Sequence, residues 1–133
     1  MDVFMIKALN TKTNIEFTLD GPNIGRIFHM TVGNNILFAG AEVGVITAWR
    51  VNSKAKSPFE LVYSLIGHTK SVVCLTVGRN MLYSGSIDQS IKAWDMDTLQ
   101  CTMKLNEHTG VVTFLLCWKH YLFSSSSDDT IKI

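Results

Sequence analysis

Apolar residues in this chain come in short runs, often alternating with polar ones, and each run is closed by Gly, Asn, Asp or Ser. A period of two over short stretches is the mark of half-buried strands, whereas no window carries the 3.6-residue spacing of an amphipathic helix. The pattern predicts strands over 3–9, 14–19, 26–32, 36–41, 45–51, 60–66, 72–77, 81–86, 90–94, 100–105, 111–117, 121–126 and 130–133. Gly33-Asn34-Asn35 and Gly78-Arg79-Asn80 offer residues that tolerate positive φ, and Asp20-Gly21-Pro22-Asn23 reads as a turn cluster. The stretch 52–58, with its Ser, Lys and Pro, reads as a solvated surface loop. An all-β chain follows.

These strands repeat. Gly67-His68-Thr69-Lys70, Met81-Leu82-Tyr83-Ser84-Gly85-Ser86-Ile87-Asp88 and Ile91-Lys92-Ala93-Trp94-Asp95 form the fullest copy. Forty positions on stand Glu107-His108-Thr109-Gly110, Tyr121-Leu122-Phe123-Ser124-Ser125-Ser126-Ser127-Asp128 and Ile131-Lys132-Ile133. Forty-five positions back stand Val32-Gly33-Asn34-Asn35-Ile36-Leu37-Phe38-Ala39-Gly40 and Val45-Ile46-Thr47-Ala48-Trp49. A period of about 40 to 45 residues signals the blades of a propeller. Register also makes the serine run 124–127 a strand rather than a flexible linker.

The copies divide the chain into repeats at about 20–51, 66–95 and 106–133, with 1–19 the end of a preceding blade. Ile6-Lys7-Ala8-Leu9-Asn10 stands where Ile91-Lys92-Ala93-Trp94-Asp95 stands later, so Leu9 replaces a tryptophan. The first copy keeps Trp49 but aligns Asn23 with His68, Ala39 with Ser84 and Val43 with Asp88. Propellers close with four-stranded blades, typically four to eight of them. The strands here make two full blades plus parts of two more, an incomplete propeller expected to be a fragment of a larger protein. Each blade buries its faces only against neighbours, so self-association through exposed blade edges is expected.

Composition narrows the function class. With 47% hydrophobic and 17% charged residues, the 133-residue chain is too apolar for disorder. Its net charge of +1 and scattered lysines give no field for steering nucleic acid. No apolar run has membrane-spanning length, and the start lacks the pattern of a signal peptide, so an intracellular place, nucleus or cytoplasm, is expected. Cys74, Cys101 and Cys117 form no C-x-x-C and read as reduced thiols. Their spacing, with His68 or His108, is the repeat's own and not that of a zinc site, so no metal or other cofactor is expected.

Gly67-His68 at one end and Trp94-Asp95 at the other make the chain resemble the WD40-repeat family. More narrowly, Val32-Gly33, Leu37-Phe38-Ala39-Gly40, Ala48-Trp49-Arg50, Val77-Gly78, Leu82-Tyr83-Ser84-Gly85-Ser86 and Leu99-Gln100-Cys101 are similar to the repeat domain of plant proteins with CCCH zinc fingers followed by WD40 repeats. The fingers themselves are absent from this segment. The resemblance implies a structural tetrad of His68, Ser84, Asp88 and Trp94, repeated in part as His108, Ser124 and Asp128. Ser86 shares the strand parity of Ser84 and competes with it for the serine place. Ser, His and Asp together also suggest a hydrolase, but their repetition and the lack of a nucleophile elbow favour a structural role. The resemblance further implies a non-catalytic protein–protein interaction scaffold that binds peptides or partner proteins through Arg26 and Lys70, entering first strands, and Glu42, Ile87 and Ser127, in the turns between second and third strands. The alternative is a nucleic-acid-associated regulatory protein acting through zinc fingers outside this segment.

Overall fold

The computed structural model describes residues 6–19, 21, 25–52 and 58–133. The strands are β1 (Ile6–Leu9), β2 (Glu16–Leu19), β3 (Ile27–Gly33), β4 (Ile36–Ala41), β5 (Val45–Val51), β6 (Phe59–Ile66), β7 (Val72–Gly78), β8 (Met81–Ser86), β9 (Ile91–Asp95), β10 (Cys101–Leu105), β11 (Val112–Trp118), β12 (Tyr121–Ser126) and β13 (Ile131–Lys132). Among the described residues there is no helix. All pairings are antiparallel between chain neighbours, giving a two-stranded sheet β1-β2, four-stranded sheets β3-β4-β5-β6 and β7-β8-β9-β10, and a three-stranded sheet β11-β12-β13. The sheets stack as successive blades. The β1–β2 pair puts Ile6 opposite Leu19 as β9–β10 puts Ile91 opposite Leu105, so it is the outer half of a blade.

Strand ends differ from the sequence reading where a residue leaves the extended region. Asn14 sits at φ 62° and closes a turn onto Asn10, so β2 begins at Glu16. Leu99 at φ 58° does the same before β10. The part of the first predicted strand at 1–5, the cluster at 20 and 22–24 (Asn23 included) and the loop at 53–57 lie outside the described residues. In the tight hairpins it is Asn34 and Asn35 (φ 51° and 59°), then Arg79 and Asn80 (49° and 63°), that adopt positive φ, as a two-residue turn between twisted strands requires. Gly33 and Gly78 have another task. A Cβ on Gly33 would lie 2.7 Å from Val77, and one on Gly78 2.9 Å from Cys117, so these glycines let blades approach closely.

Three apolar layers lie between the four sheets. Ile6 and Leu19 meet Ala39 and Trp49; Phe38, Ile46 and Leu65 meet Leu75, Leu82 and Trp94; Cys74 and Ile91 meet Val112 and Leu115. Each blade's first pair carries a bulge at one equivalent place, between Ile27 and His29, Val72 and Cys74, Val112 and Phe114. Such a bulge sends Val72 to one face of its blade and Cys74 to the other. Both are buried, the first against Gly40 of the preceding blade and the second beside Val112 of the next.

Candidate functional site

In the second blade the Asp88 turn, the strand β8 and the segment entering β7 bring four side chains into one chain of hydrogen bonds. His68 Nδ1 lies 2.9 Å from Asp88 Oδ2, and His68 Nε2 lies 2.6 Å from Ser84 Oγ. Trp94 Nε1 donates to the same Ser84 Oγ at 2.9 Å. One assignment of protons satisfies all of it: the imidazole N–H donates to the carboxylate, the serine O–H donates to Nε2, and the indole donates to the serine oxygen. Ser84 takes the place for which Ser86 had equal parity. Ser86 instead donates to the Lys70 and Ser71 carbonyls and accepts from Asp88 N–H, fixing the turn.

The third blade repeats the arrangement, with His108 Nδ1 at 3.0 Å from Asp128 Oδ2 and His108 Nε2 at 2.8 Å from Ser124 Oγ. A fifth member escaped the sequence reading. Ser90 donates backbone and side-chain hydrogen bonds to Asp88 Oδ1, and Thr130 does the same for Asp128. The signal was present: each aspartate is followed two residues later by a hydroxyl.

Burial works against a charge on Asp88, yet hydrogen bonds from Ser90 and His68 outweigh it and hold the carboxyl at about 2. The Asp128 carboxyl is held low first by Thr130, against the opposing effect of desolvation, with Thr109 N–H and His108 adding to the hold. Desolvation lowers His68 below its ordinary value although Asp88 opposes the shift, so its neutral form suits the proton assignment above. Ser84 is fully buried and Trp94 nearly so, so this trio braces sheets and presents no hydroxyl to solvent. The Cys74 thiol, buried beside Val112, is pushed up to about 12 by desolvation. Among the described residues no group of three or more His, Cys, Asp or Glu could hold a metal ion.

The first blade is built differently. Ala39, fully buried, stands where Ser84 stands and joins an apolar layer with Trp49, Ile6 and Leu19. Gly21 lies 3.1 Å from the Trp49 ring by its virtual Cβ, as Gly67 does from Trp94, although Gly21 is one residue out of step with the 45-residue shift.

Arg26, Glu42, Lys70, Ile87 and Ser127 lie at one end of the stack, where first strands enter and second strands turn. Glu42 N–H donates to the Arg26 carbonyl (2.9 Å), Ile87 N–H to the Ser71 carbonyl (3.0 Å) and Ser127 N–H to the Val111 carbonyl (3.0 Å). Ser71 Oγ donates across the blade boundary to the Glu42 carbonyl at 2.7 Å. The Glu42 carboxylate accepts from Arg26 N–H and the Ser127 hydroxyl from Val111 N–H, whereas the exposed Lys70 ammonium has no partner among the described residues. Ile87 is 37% exposed.

The family model for "WD domain, G-beta repeat" matches residues 59–95 and 99–133, more than half of the chain. The chain belongs to the WD40 family. Zinc finger CCCH domain-containing protein 17 of Oryza sativa subsp. japonica is 47% identical over 107 residues, covering 80% of this chain and 24% of that protein. Zinc finger CCCH domain-containing protein 62 of Arabidopsis thaliana is 48% identical over 102 residues, 75% of this chain and 24% of that protein. The WD40 chain thus spans about a quarter of the length of these curated relatives. Among solved structures, the computationally designed Ika4 protein superposes with a TM-score of 0.83 at 26% identity, covering 96% of this chain and 77% of that one. A chain of the mitotic checkpoint complex superposes at 0.81 and 20% identity, covering 96% and 39%, a likeness of fold alone.

Proposed function

We propose that this WD40 segment is a non-catalytic scaffold that holds a peptide or partner protein at the turn end of its blades, with Lys70 and Ile87 as the main contacts and Arg26, Glu42 and Ser127 as their surround. WD40 propellers generally bind other proteins and are generally non-catalytic. The observation that carries the reading is the division of labour around the second blade: His68, Ser84 and Asp88 are spent on one another and on Trp94, while Lys70 and Ile87, on the segments they brace, remain outward. A charged group beside an apolar one on a rigid turn suits an anchor with a polar rim. Peptide display against the chain, followed by affinity measurement with Lys70→Glu and Ile87→Asp, tests it. Selected peptides should bind these variants about tenfold more weakly or worse; unchanged affinity in both, or failure to select any peptide, overturns the assignment.

The names of the relatives favour a second reading at the level of the whole protein, a nucleic-acid-associated regulator whose zinc fingers lie outside this segment, with the blades as its protein-binding part. An intracellular place, nucleus or cytoplasm, accords with three cysteines that form no disulfide.

A further inference from the structure

We propose that the groove between the outer strands of the first and second blades binds an extended acidic segment of a partner protein, at a site separate from the turn end. Lys92 is 8% exposed, and its stem runs along the end of β6 at Gly67, whose virtual Cβ would lie 3.2 Å from Lys92 Cε. Across the β9–β10 ladder its register partner is Lys104, so two ammonium groups share one face of the blade. Like charges set directly opposite each other repel. Among the described residues the ion pairs form at Lys7, His68 and His108, and none reaches either lysine. Thr47 Oγ1 is the one enclosed side-chain polar atom without a partner among the described residues, so the Lys92 ammonium keeps an opening to solvent. An unpaired cation held this deep costs free energy until an anion joins it.

The rest of the groove names the form of the ligand. Lys92 and Trp94 are two positions apart on β9 and so face the same way, toward the first blade, where Trp94 packs with Leu65. Farther along that face a cavity of about 230 Å³ lies between β6 and β10, walled by Tyr63, Leu65, Trp94, Leu99, Gln100 and Cys101. Small-molecule pockets run from roughly 300 to 1,000 Å³, so this one suits a single apolar side chain. Both strands belong to four-stranded blades, and β10 pairs with β9 alone, which leaves its other edge free for an incoming strand. Alternate side chains of such a strand share a face. A glutamate for the lysines, with an apolar residue two positions away for the cavity, is the pattern that fills both. A free phosphate would meet the same two cations and leave the cavity empty.

The probe is the synthetic peptide TETLTETLT, which presents that pattern in either strand direction, with a fluorophore at one end. Its anisotropy should rise on titration with the intact chain. Peptides with glutamine for glutamate, or serine for leucine, should bind about fivefold more weakly or worse. Cys101 is an exposed thiol at the cavity wall, whereas Cys117 lies at another boundary, beside Gly78. Saturating peptide should therefore slow alkylation of Cys101 by iodoacetamide and leave that of Cys117 unchanged. Lys104→Glu gives Lys92 a partner of opposite charge on the neighbouring strand, so it should raise the midpoint of thermal unfolding while abolishing binding, which separates lost affinity from lost fold. Absence of binding, equal affinity for the glutamine peptide, unprotected Cys101, or a Lys104→Glu chain that binds like its parent or melts below it would overturn the proposal. So would undiminished binding of the serine peptide, which would leave a site for any anion, free phosphate included.

Discussion

The second and third blades have nearly superimposable networks and opposite surroundings. Their His–Asp and His–Ser distances are 2.9 and 2.6 Å in one, 3.0 and 2.8 Å in the other. Only the second closes on an indole, and only the second is covered on both faces. The aspartate turn, with its hydroxyl two residues on, is thus sufficient to set the histidine and serine; the indole and the neighbouring blade add burial to a geometry already made. The outer faces separate the two blades further. Cys74, Thr76 and Gly78 of the second blade face the third, and Cys74 is 4% exposed. Their register equivalents Phe114, Leu116 and Trp118 are 63%, 53% and 56% exposed. Trp118 also stands in register with Gly33 and Gly78, where the inner boundaries leave no room for a Cβ.

The largest expected effect exploits that contrast. A contiguous apolar face of this kind, with open strand edges, is a template for association. Size-exclusion chromatography with light scattering should show the isolated chain as oligomers or aggregate, and Leu116→Glu with Trp118→Glu should shift the population toward monomer. Charges placed at half-buried Thr76 and at Gly78, where even a Cβ would lie 2.9 Å from Cys117, should destabilise the chain instead. A soluble 14.9 kDa monomer at high concentration, before any substitution, would show that the open face of the third blade behaves like the covered face of the second.

Next in size is the effect of the indole itself. Trp94→Phe leaves Ser84 without its donor and removes part of a packed ring, a cost of about 1 to 3 kcal/mol. Trp49→Phe should cost less, because Ala39, which stands where Ser84 does, has no hydroxyl to orphan. Denaturant titrations of the two variants decide it. Equal losses would mean that the hydroxyl of Ser84 adds nothing to the hold on Trp94 that Ala39 does not give Trp49.

Much of this was legible in the sequence because the repeat compares the chain with itself. The 40-residue and 45-residue shifts carry the strand order and align His68, Ser84 and Asp88 with His108, Ser124 and Asp128, while the expectation that such residues bond to one another came from the family resemblance. The choice between Ser84 and Ser86 was not legible, since both face the same way on one strand and only the turn residues each can reach distinguish them. Ser90 and Thr130 were missed because a hydroxyl after an aspartate is common in turns. The glycines of the hairpins were legible as turn residues, but their function is close approach between blades, which depends on Val77 and Cys117 in other strands. Gly21 slips by one residue against its register, which alignment by a fixed shift conceals. Exposure of Phe114 and Trp118 follows from which neighbours a blade has, and strand pattern carries no such information.

The smallest expected effect is a pH dependence of the second blade's network. Asp88 has a folded value of about 2, below the ordinary 3.8, so its contribution is present above the ordinary value and is lost as pH falls through the folded one. His68 is lowered from 6.5, so on acidification the unfolded chain takes up a proton first, and stability declines from that point downward. Both changes have one sign: acid destabilises, in an early stage beginning near 6.5 and a steeper one between about 4 and 2. His68→Gln removes the first proton uptake while keeping a donor toward Asp88. Its unfolding midpoint should be lower than the parent's at neutral pH but should change less between about pH 7 and about pH 5. Thermal melts of both chains across that interval give the comparison, and the other three histidines cancel in the difference. Parallel curves would mean that His68 is protonated as readily in the folded blade as in the unfolded chain, and would remove the neutral imidazole on which the proton assignment of the tetrad depends.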